Sequence, residues 1–115
     1  PMPRLGPFQK RIGYTFRKPE LLSLALTHPS VGHEKGEAVA NNQRLEFLGD
    51  AVLQLTVSEW LFQRYPEVSE GQLTQRRAII VNANMLAEVG GSLGLGAMLR
   101  VGVGEERLAG VRPHP

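Results

Sequence analysis

Two carboxylates and one amide share a face of a predicted apolar helix. Gln43, Glu46 and Asp50 are separated by three and four residues, and that spacing places side chains on one side of an α-helix. Two like charges four residues apart cost roughly a few tenths of a kcal/mol on an exposed helix. Hard divalent cations take carboxylate oxygens as ligands. The spacing therefore predicts a divalent-cation site, with an ordinary solvated helix face as the alternative.

Two further residues favour the cation site. Asp50 is the only aspartate in the chain, although glutamate is the better helix former. Gly49 precedes it directly, and glycine in mid-helix costs about 1 kcal/mol relative to alanine. We expect the shorter side chain of Asp50 to be needed for reach, and Gly49 to allow the close approach of another backbone or helix.

The acidic helix must be held by other predicted helices. It is expected to begin at Asn41 or Asn42 and to run to about Tyr65, before Pro66. A second, apolar stripe on it follows the same period; its members are Leu45, Leu48, Val52 and Leu55.

Shorter helices are predicted on both sides of this long one. A short helix or turn is predicted over residues 8–16 and a helix over residues 20–27, followed by a loop over 31–40. Ser69 and Gln72 form a capping-box pattern before a helix that passes through Ile80. Asn82 or Asn84 should cap another helix, which Gly90 and Gly91 should end. No segment reads as a strand, so the predicted fold class is all-α, a bundle of packed helices in one domain over residues 1–115.

Composition narrows the functional classes. The chain has 115 residues, 42% of them hydrophobic, and no cysteine, which excludes disulfides, thiolate metal sites and a cysteine nucleophile. No apolar run approaches the ~20 residues of a membrane span. We therefore expect a cytoplasmic protein that makes no membrane contact.

The net charge is +2, and two groups of basic residues could be either a solvated surface or a patch for a polyanion such as nucleic acid. These groups are Arg4, Lys10, Arg11, Arg17 and Lys18, and then Arg76 and Arg77.

The segment RLEFLGDAVL, residues 44–53, resembles the signature helix of the ribonuclease III family, which are endonucleases specific for double-stranded RNA. Two other segments agree in order and spacing: LALTHPS at residues 24–30, and RYP at 64–66 followed by SEG at 69–71. The resemblance covers about residues 8–107. It implies a Mg²⁺-dependent hydrolase (Mn²⁺ is possible) that acts in RNA processing, including that of ribosomal RNA. It also implies products with 5′-phosphate and 3′-hydroxyl ends.

The resemblance also implies roles for single residues. Glu46 and Asp50 match metal-binding carboxylates, and Glu70 matches a third acidic residue near the site. A glutamate at a helix start is also favoured by the helix dipole, so Glu70 has a purely structural alternative. Phe47 matches an aromatic residue that seats into the partner subunit of a homodimer, with ordinary core packing as its alternative.

Two departures from the family pattern bear on activity. Gln43 stands where the family usually has glutamate, so it brings hydrogen bonding without negative charge. The helix that supplies an Asp and a Glu to complete the site in the family would come after residue 115, and the double-stranded-RNA-binding domain of many members is also missing. We therefore expect these 115 residues to be a truncated catalytic domain with at most negligible cleavage activity and an exposed apolar face. The alternatives are a non-catalytic ribonuclease III-like module that binds structured RNA and an unrelated helical adaptor protein.

Overall fold

Seven α-helices joined by short connections form the part of the chain that the structure describes. The computed structural model covers residues 5–35 and 39–102. In chain order the helices are α1 (Leu5–Ile12), α2 (Pro19–Ala25), α3 (Ser30–Lys35), α4 (Gln43–Arg64), α5 (Glu70–Ile80), α6 (Ala83–Ser92) and α7 (Leu95–Met98). Within these two ranges the β-type pairing is limited to an isolated parallel bridge between Thr27 and Arg100. The predicted all-α fold class is confirmed.

A small hydrophobic core joins the first helices to the last one. Phe8 of α1, Leu22 and Leu26 of the α2 region, and Met98 of α7 are all buried and form one cluster. Fully burying such a side chain contributes about 1.5–3 kcal/mol, so this cluster fixes the three elements together. Helix α1 ends earlier than predicted because Gly13 adopts a φ of +73°, which a helix cannot continue through.

The long acidic helix α4 is confirmed with its predicted end, because Tyr65 is its C-cap and Pro66 follows. Helix α5 returns along the C-terminal part of α4. Leu61, on α4, is only 2% exposed, and the Arg77 guanidinium on α5 donates to the Ser58 hydroxyl of α4 at 2.8 Å. The N-terminal half of α4, which carries the candidate site, has no buried residue.

The predicted caps of α4 and α5 are found, and each differs from the prediction in one hydrogen bond. Asn42 is the N-cap of α4, but the side chain that accepts the Gln43 N–H, at 3.0 Å, belongs to Asn41. The Ser69 hydroxyl accepts the Gln72 N–H at 3.2 Å, while the reciprocal bond from the Gln72 side chain is not made in the described part of the chain.

Two predictions, one about a loop and one about the end of a helix, are wrong. Residues 31–35 belong to helix α3 rather than to a loop. This short helix is supported from outside its own sequence, since His28 Nδ1 accepts the Ser30 N–H at 3.0 Å and the His28 carbonyl accepts the Val31 N–H at 3.1 Å. Helix α6 continues through Gly90 and Gly91 and ends only at Ser92, where Leu93 and the left-handed Gly94 follow. None of the helices in residues 5–35 and 39–102 is both long and apolar enough to cross a membrane.

Candidate functional site

The acidic face of α4 lines an open cavity of about 830 Å³. Gln43, Glu46 and Asp50 all contribute to its wall, as the three- and four-residue spacing predicted. All three are exposed, and Leu86 of α6 lines the same cavity. The candidate site is therefore a groove between the start of α4 and the first turns of α6, with oxygen-bearing side chains on one wall and an apolar side chain on the other.

Within the described residues, neither carboxylate of the site has a protein partner. The side chains of Glu46 and Asp50 make no hydrogen bond and no ion pair with any residue in these ranges. Glu46 also lies in the first turn of α4, where the positive end of the helix dipole favours a negative side chain. Two unpaired carboxylates, one helical turn apart on an open groove, can bind a cation without first breaking an internal contact.

The donor set fits part of the coordination shell of a hard cation. Carboxylate and amide oxygens are the ligands that Mg²⁺ takes in proteins, usually with several waters retained. The described residues contain no group of three or more acidic, histidine or cysteine side chains close enough to hold a metal together. The two carboxylates of the groove thus match Mg²⁺ in chemistry and leave most of its positions to water, substrate or other parts of the protein.

Glu70 does not join this site within the described chain. It lines a separate cavity of about 250 Å³, together with Ser58 and Arg77 at the α4–α5 junction. Its position in the first turn of α5, directly after the Ser69 cap, is the one that the helix dipole favours. The geometry therefore separates Glu70 from the pair formed by Glu46 and Asp50.

Phe47 projects into solvent instead of packing in a core. Its side chain is 83% exposed and lines the same groove as Glu46 and Asp50. The apolar stripe further round α4 is also largely exposed, with Leu55 at 70%. Gly49 was expected to allow another element to approach, but a β-carbon there would meet no atom of the described residues within 4 Å. Helix α4 is therefore open on both its acidic and its apolar sides.

Three of the seven predicted basic residues make internal contacts in the described part of the chain. The Arg76 guanidinium lies over the Tyr65 ring at 4.3 Å from its centre, and Arg77 is bonded to Ser58. Arg11 donates to the Leu93 carbonyl, while Arg4 lies outside the described residues. These contacts favour a structural role for Arg11, Arg76 and Arg77 over a free patch for a polyanion.

Sequence reasoning missed two residues that shape the site. Leu86 gave no chemical signal, although the Asn82 cap and the helical period place it with Met85 and Val89 on α6. Asn42 was identified only as a cap, yet its side-chain amide donates to the Ala25 carbonyl at 2.9 Å and its backbone N–H donates to the Thr27 carbonyl at 2.8 Å. These two bonds fix the start of α4 against the end of α2.

Comparison with known proteins gives consistent similarities. A family model described as ribonuclease-III-like matches residues 18–113. The chain is 52% identical over 97 residues to a ribonuclease 3 of Oleidesulfovibrio alaskensis, covering 84% of this chain and 42% of that protein. It is 46% identical over 109 residues to the ribonuclease 3 of Hahella chejuensis, covering 95% of this chain and 46% of that protein. The chain therefore spans less than half of the length of these curated relatives.

Solved structures agree with the sequence matches. Two structures of the nuclease domain of ribonuclease III from Campylobacter jejuni superpose with TM-scores of 0.84 and 0.83, both at 39% identity. The aligned regions cover 93% and 95% of this chain, respectively, and 71% of each solved chain. The first of these structures is described as showing flexibility in a region involved in dimer formation.

Proposed function

This chain belongs to the ribonuclease III family, and we propose that it carries part of the active site of a Mg²⁺-dependent endoribonuclease that cleaves double-stranded RNA. The single observation that carries the proposal is the pair of unpartnered carboxylates, Glu46 and Asp50, on one groove of α4. Mn²⁺ is the alternative cation, because it accepts the same oxygen ligands.

The proposed roles follow from the chemistry of each side chain. Glu46 and Asp50 would hold the cation through carboxylate oxygens, and Gln43 would orient a water or a ligand by hydrogen bonding. When bound, the cation lowers the pKa of a water and neutralises charge on the phosphodiester. Hydrolysis would join a water oxygen to phosphorus and break the bond between phosphorus and the 3′ oxygen, which would take up a proton. The products would carry a 5′-phosphate and a 3′-hydroxyl.

The partners of this activity are proposed from the same surface. The groove is open, as an extended nucleic acid requires, and duplex RNA is bound chiefly through phosphates and 2′-hydroxyls. Phe47 on the rim of the groove would seat into a second copy of the chain, since an apolar ring that is 83% exposed gains free energy from burial. We propose a cytoplasmic homodimer that processes RNA, including ribosomal precursors.

A binding role without catalysis is the second candidate. Two observations favour it: Gln43 brings no charge to the groove, and the described residues bring no three acidic side chains together. In this case the same open groove binds structured RNA without cutting it. The 115 residues alone are proposed to have at most negligible cleavage activity, because two carboxylates supply few of the ligands that Mg²⁺ requires.

Single substitutions in the intact protein that carries these residues test the nuclease proposal, because the 115 residues alone are not expected to cleave. Glu46→Gln and Asp50→Asn should each abolish cleavage of a hairpin duplex RNA in Mg²⁺ while leaving RNA affinity largely unchanged. Glu59→Gln is the matched control, since Glu59 is an exposed acid on the opposite face of α4. Cleavage that survives in both site variants would remove the metal assignment. Duplex binding without any cleavage by the intact parent protein would favour the binding module.

A further inference from the structure

We propose that His28 and Ser30 are positioning residues for the acidic groove, acting through a directed chain of hydrogen bonds. They hold the backbone of residues 100–102 to the segment 25–30, and that segment also holds the start of α4. We call segment 25–30 the anchor segment. The inference rests on the proposed function only where it concerns cleavage, and its first test is independent of RNA.

The protonation of the histidine ring follows from its backbone neighbour. The Ser30 N–H lies 3.0 Å from His28 Nδ1, and a backbone N–H can only donate. Nδ1 must therefore be an acceptor, and the neutral ring carries its proton on Nε2. Because the Gly102 N–H donates to Ser30 Oγ at 2.8 Å, the Ser30 hydroxyl proton is available for His28 Nδ1, 2.8 Å away. The bonds thus run in one direction, from Gly102 through Ser30 to His28.

The Gly102 end of this chain of bonds lies in the interior, and His28 is half-buried. Ser30 and Gly102 are both buried, and the bond between them joins residues 72 positions apart in the sequence. No buried side-chain nitrogen or oxygen in the described residues lacks a partner. Removing the Ser30 hydroxyl would leave the Gly102 N–H buried without an acceptor, which costs the full desolvation of that group. The bond is therefore a strong determinant of where Gly102 lies.

Backbone bonds extend the same contact on either side. The His28 N–H donates to the Arg100 carbonyl and the Arg100 N–H donates to the Leu26 carbonyl, both at 2.8 Å. These bonds form the parallel bridge between Thr27 and Arg100. The side-chain bonds of His28 and Ser30 prolong this short pairing by two residues, to Gly102.

The anchor segment is shared with the acidic helix. Asn42 donates to Ala25 and Thr27 carbonyls from its side chain and its backbone respectively. The Asn42 carbonyl in turn accepts the Glu46 N–H at 2.8 Å, in the first turn of α4. A displacement of the anchor segment would therefore move Glu46 and residues 100–102 together. This shared support is what makes His28 and Ser30 positioning residues rather than only a local contact.

Matched substitutions at the two positions separate the hydrogen bond from side-chain size. Ser30→Thr keeps the hydroxyl and Ser30→Ala removes it. His28→Asn places an amide oxygen where Nδ1 stands, whereas His28→Gln places its amide near the position of Nε2. Hydrogen exchange of the full chain, followed by NMR, reports the amides of Gly102 and Asn42 directly. The Val81 amide, bonded to the Arg77 carbonyl in α5, is the internal control.

The chain of hydrogen bonds predicts which variants exchange the amides of Gly102 and Asn42 faster than the parent. In Ser30→Ala and His28→Gln, exchange at Gly102 and Asn42 becomes about tenfold faster, the effect of losing roughly one hydrogen bond, with Val81 unchanged. In Ser30→Thr and His28→Asn, exchange stays within about twofold of the parent, and the ring ¹⁵N shifts of the parent show Nδ1 without a proton. Unchanged exchange at Asn42 in Ser30→Ala, equal behaviour of the two His28 variants, or a proton on Nδ1 would each overturn the inference.

Cleavage assays give the second readout. Ser30→Ala should raise the Mg²⁺ concentration needed for half-maximal cleavage without changing RNA affinity, and Ser30→Thr should restore it. A change in exchange without a change in Mg²⁺ dependence in an active enzyme would overturn the positioning role. These assays use the intact protein that carries these residues, because the 115 residues alone are not expected to cleave. If the intact parent protein cuts no RNA, the proposed function fails, while the exchange data at Asn42 still decide the coupling.

Discussion

The guanidinium of Arg11 donates a hydrogen bond to the carbonyl oxygen of Leu93 at 3.1 Å, so α1 satisfies an acceptor at the end of α6. A cation at this position also interacts favourably with the negative end of the helix dipole. Gly94 follows with a φ of +71°, and a β-carbon there would collide with the Arg11 guanidinium. The contact between the two helices therefore depends on glycine at position 94.

We expect Gly94→Ala to destabilise the chain by about 1–3 kcal/mol, since it combines a strained left-handed alanine with the displacement of Arg11. Gly91→Ala is the matched control, because Gly91 lies inside α6 with nothing within 4 Å of an added β-carbon. The control should be neutral or up to about 1 kcal/mol more stable. Urea unfolding of both variants measures the difference, and equal free energies of unfolding would contradict the role assigned to Gly94.

Asn82 connects the end of α5 to the start of α6. Its Oδ1 accepts the Met85 N–H at 2.9 Å, and its Nδ2 donates to the Ile79 carbonyl at 2.8 Å. Asn82→Ala should therefore cost about 1–2 kcal/mol in free energy of unfolding. Asn84→Ala should change it by less than about 0.5 kcal/mol, since the exposed Asn84 side chain makes no hydrogen bond with the described residues. Thermal and urea unfolding would refute this prediction if the two variants lost the same stability.

Local signals were sufficient to predict most of the helices. The caps at Ser69 and Asn82 and the stop at Pro66 act within four residues, so the sequence around them contains their cause. The common face of Glu46 and Asp50 follows from the period of the helix alone, and both do line one groove.

Contacts between distant residues explain what the sequence did not predict. Helix α3 is joined through Ser30 to Gly102, 72 residues later. The end of α6 depends on Arg11, which is 82 residues away from Leu93. The separation of Glu70 from the acidic groove depends on how α5 packs against α4. No pattern within one segment predicts these pairings, because each needs two segments to meet first.

Phe47→Ala tests the proposed homodimer. The Phe47 ring is 83% exposed in one chain, and its burial in a partner should contribute about 2 kcal/mol or more to association. Removing the ring should therefore raise the dimer dissociation constant by roughly 30-fold. Ile79→Ala is the control, because Ile79 is 69% exposed on α5 and does not line the acidic groove. Sedimentation equilibrium of the full chain measures both dissociation constants. Equal constants for the two variants would assign the interface elsewhere, and a parent chain that stays monomeric would refute the dimer.

Gln43→Glu tests whether the amide at this position limits cation binding. The added carboxylate would join Glu46 and Asp50 on the wall of one groove, and a charge a few ångströms from a divalent cation gains about 1 kcal/mol or more even in a watery surrounding. We therefore expect the Mg²⁺ concentration for half-maximal cleavage to fall by about three- to tenfold.

The same substitution should also make stability depend on the cation. Without Mg²⁺, repulsion from Glu46 costs roughly a few tenths of a kcal/mol, and the helix dipole at the first residue of α4 offsets about as much, so stability should change little. Mg²⁺ that binds only the folded state should then stabilise the variant more than the parent. Gln63→Glu is the matched control, since Gln63 is an exposed glutamine near the other end of α4. Thermal unfolding with and without Mg²⁺ compares the two variants. A cation-dependent stabilisation as large in Gln63→Glu as in Gln43→Glu would mean that Mg²⁺ screens charge generally and is not held by the groove.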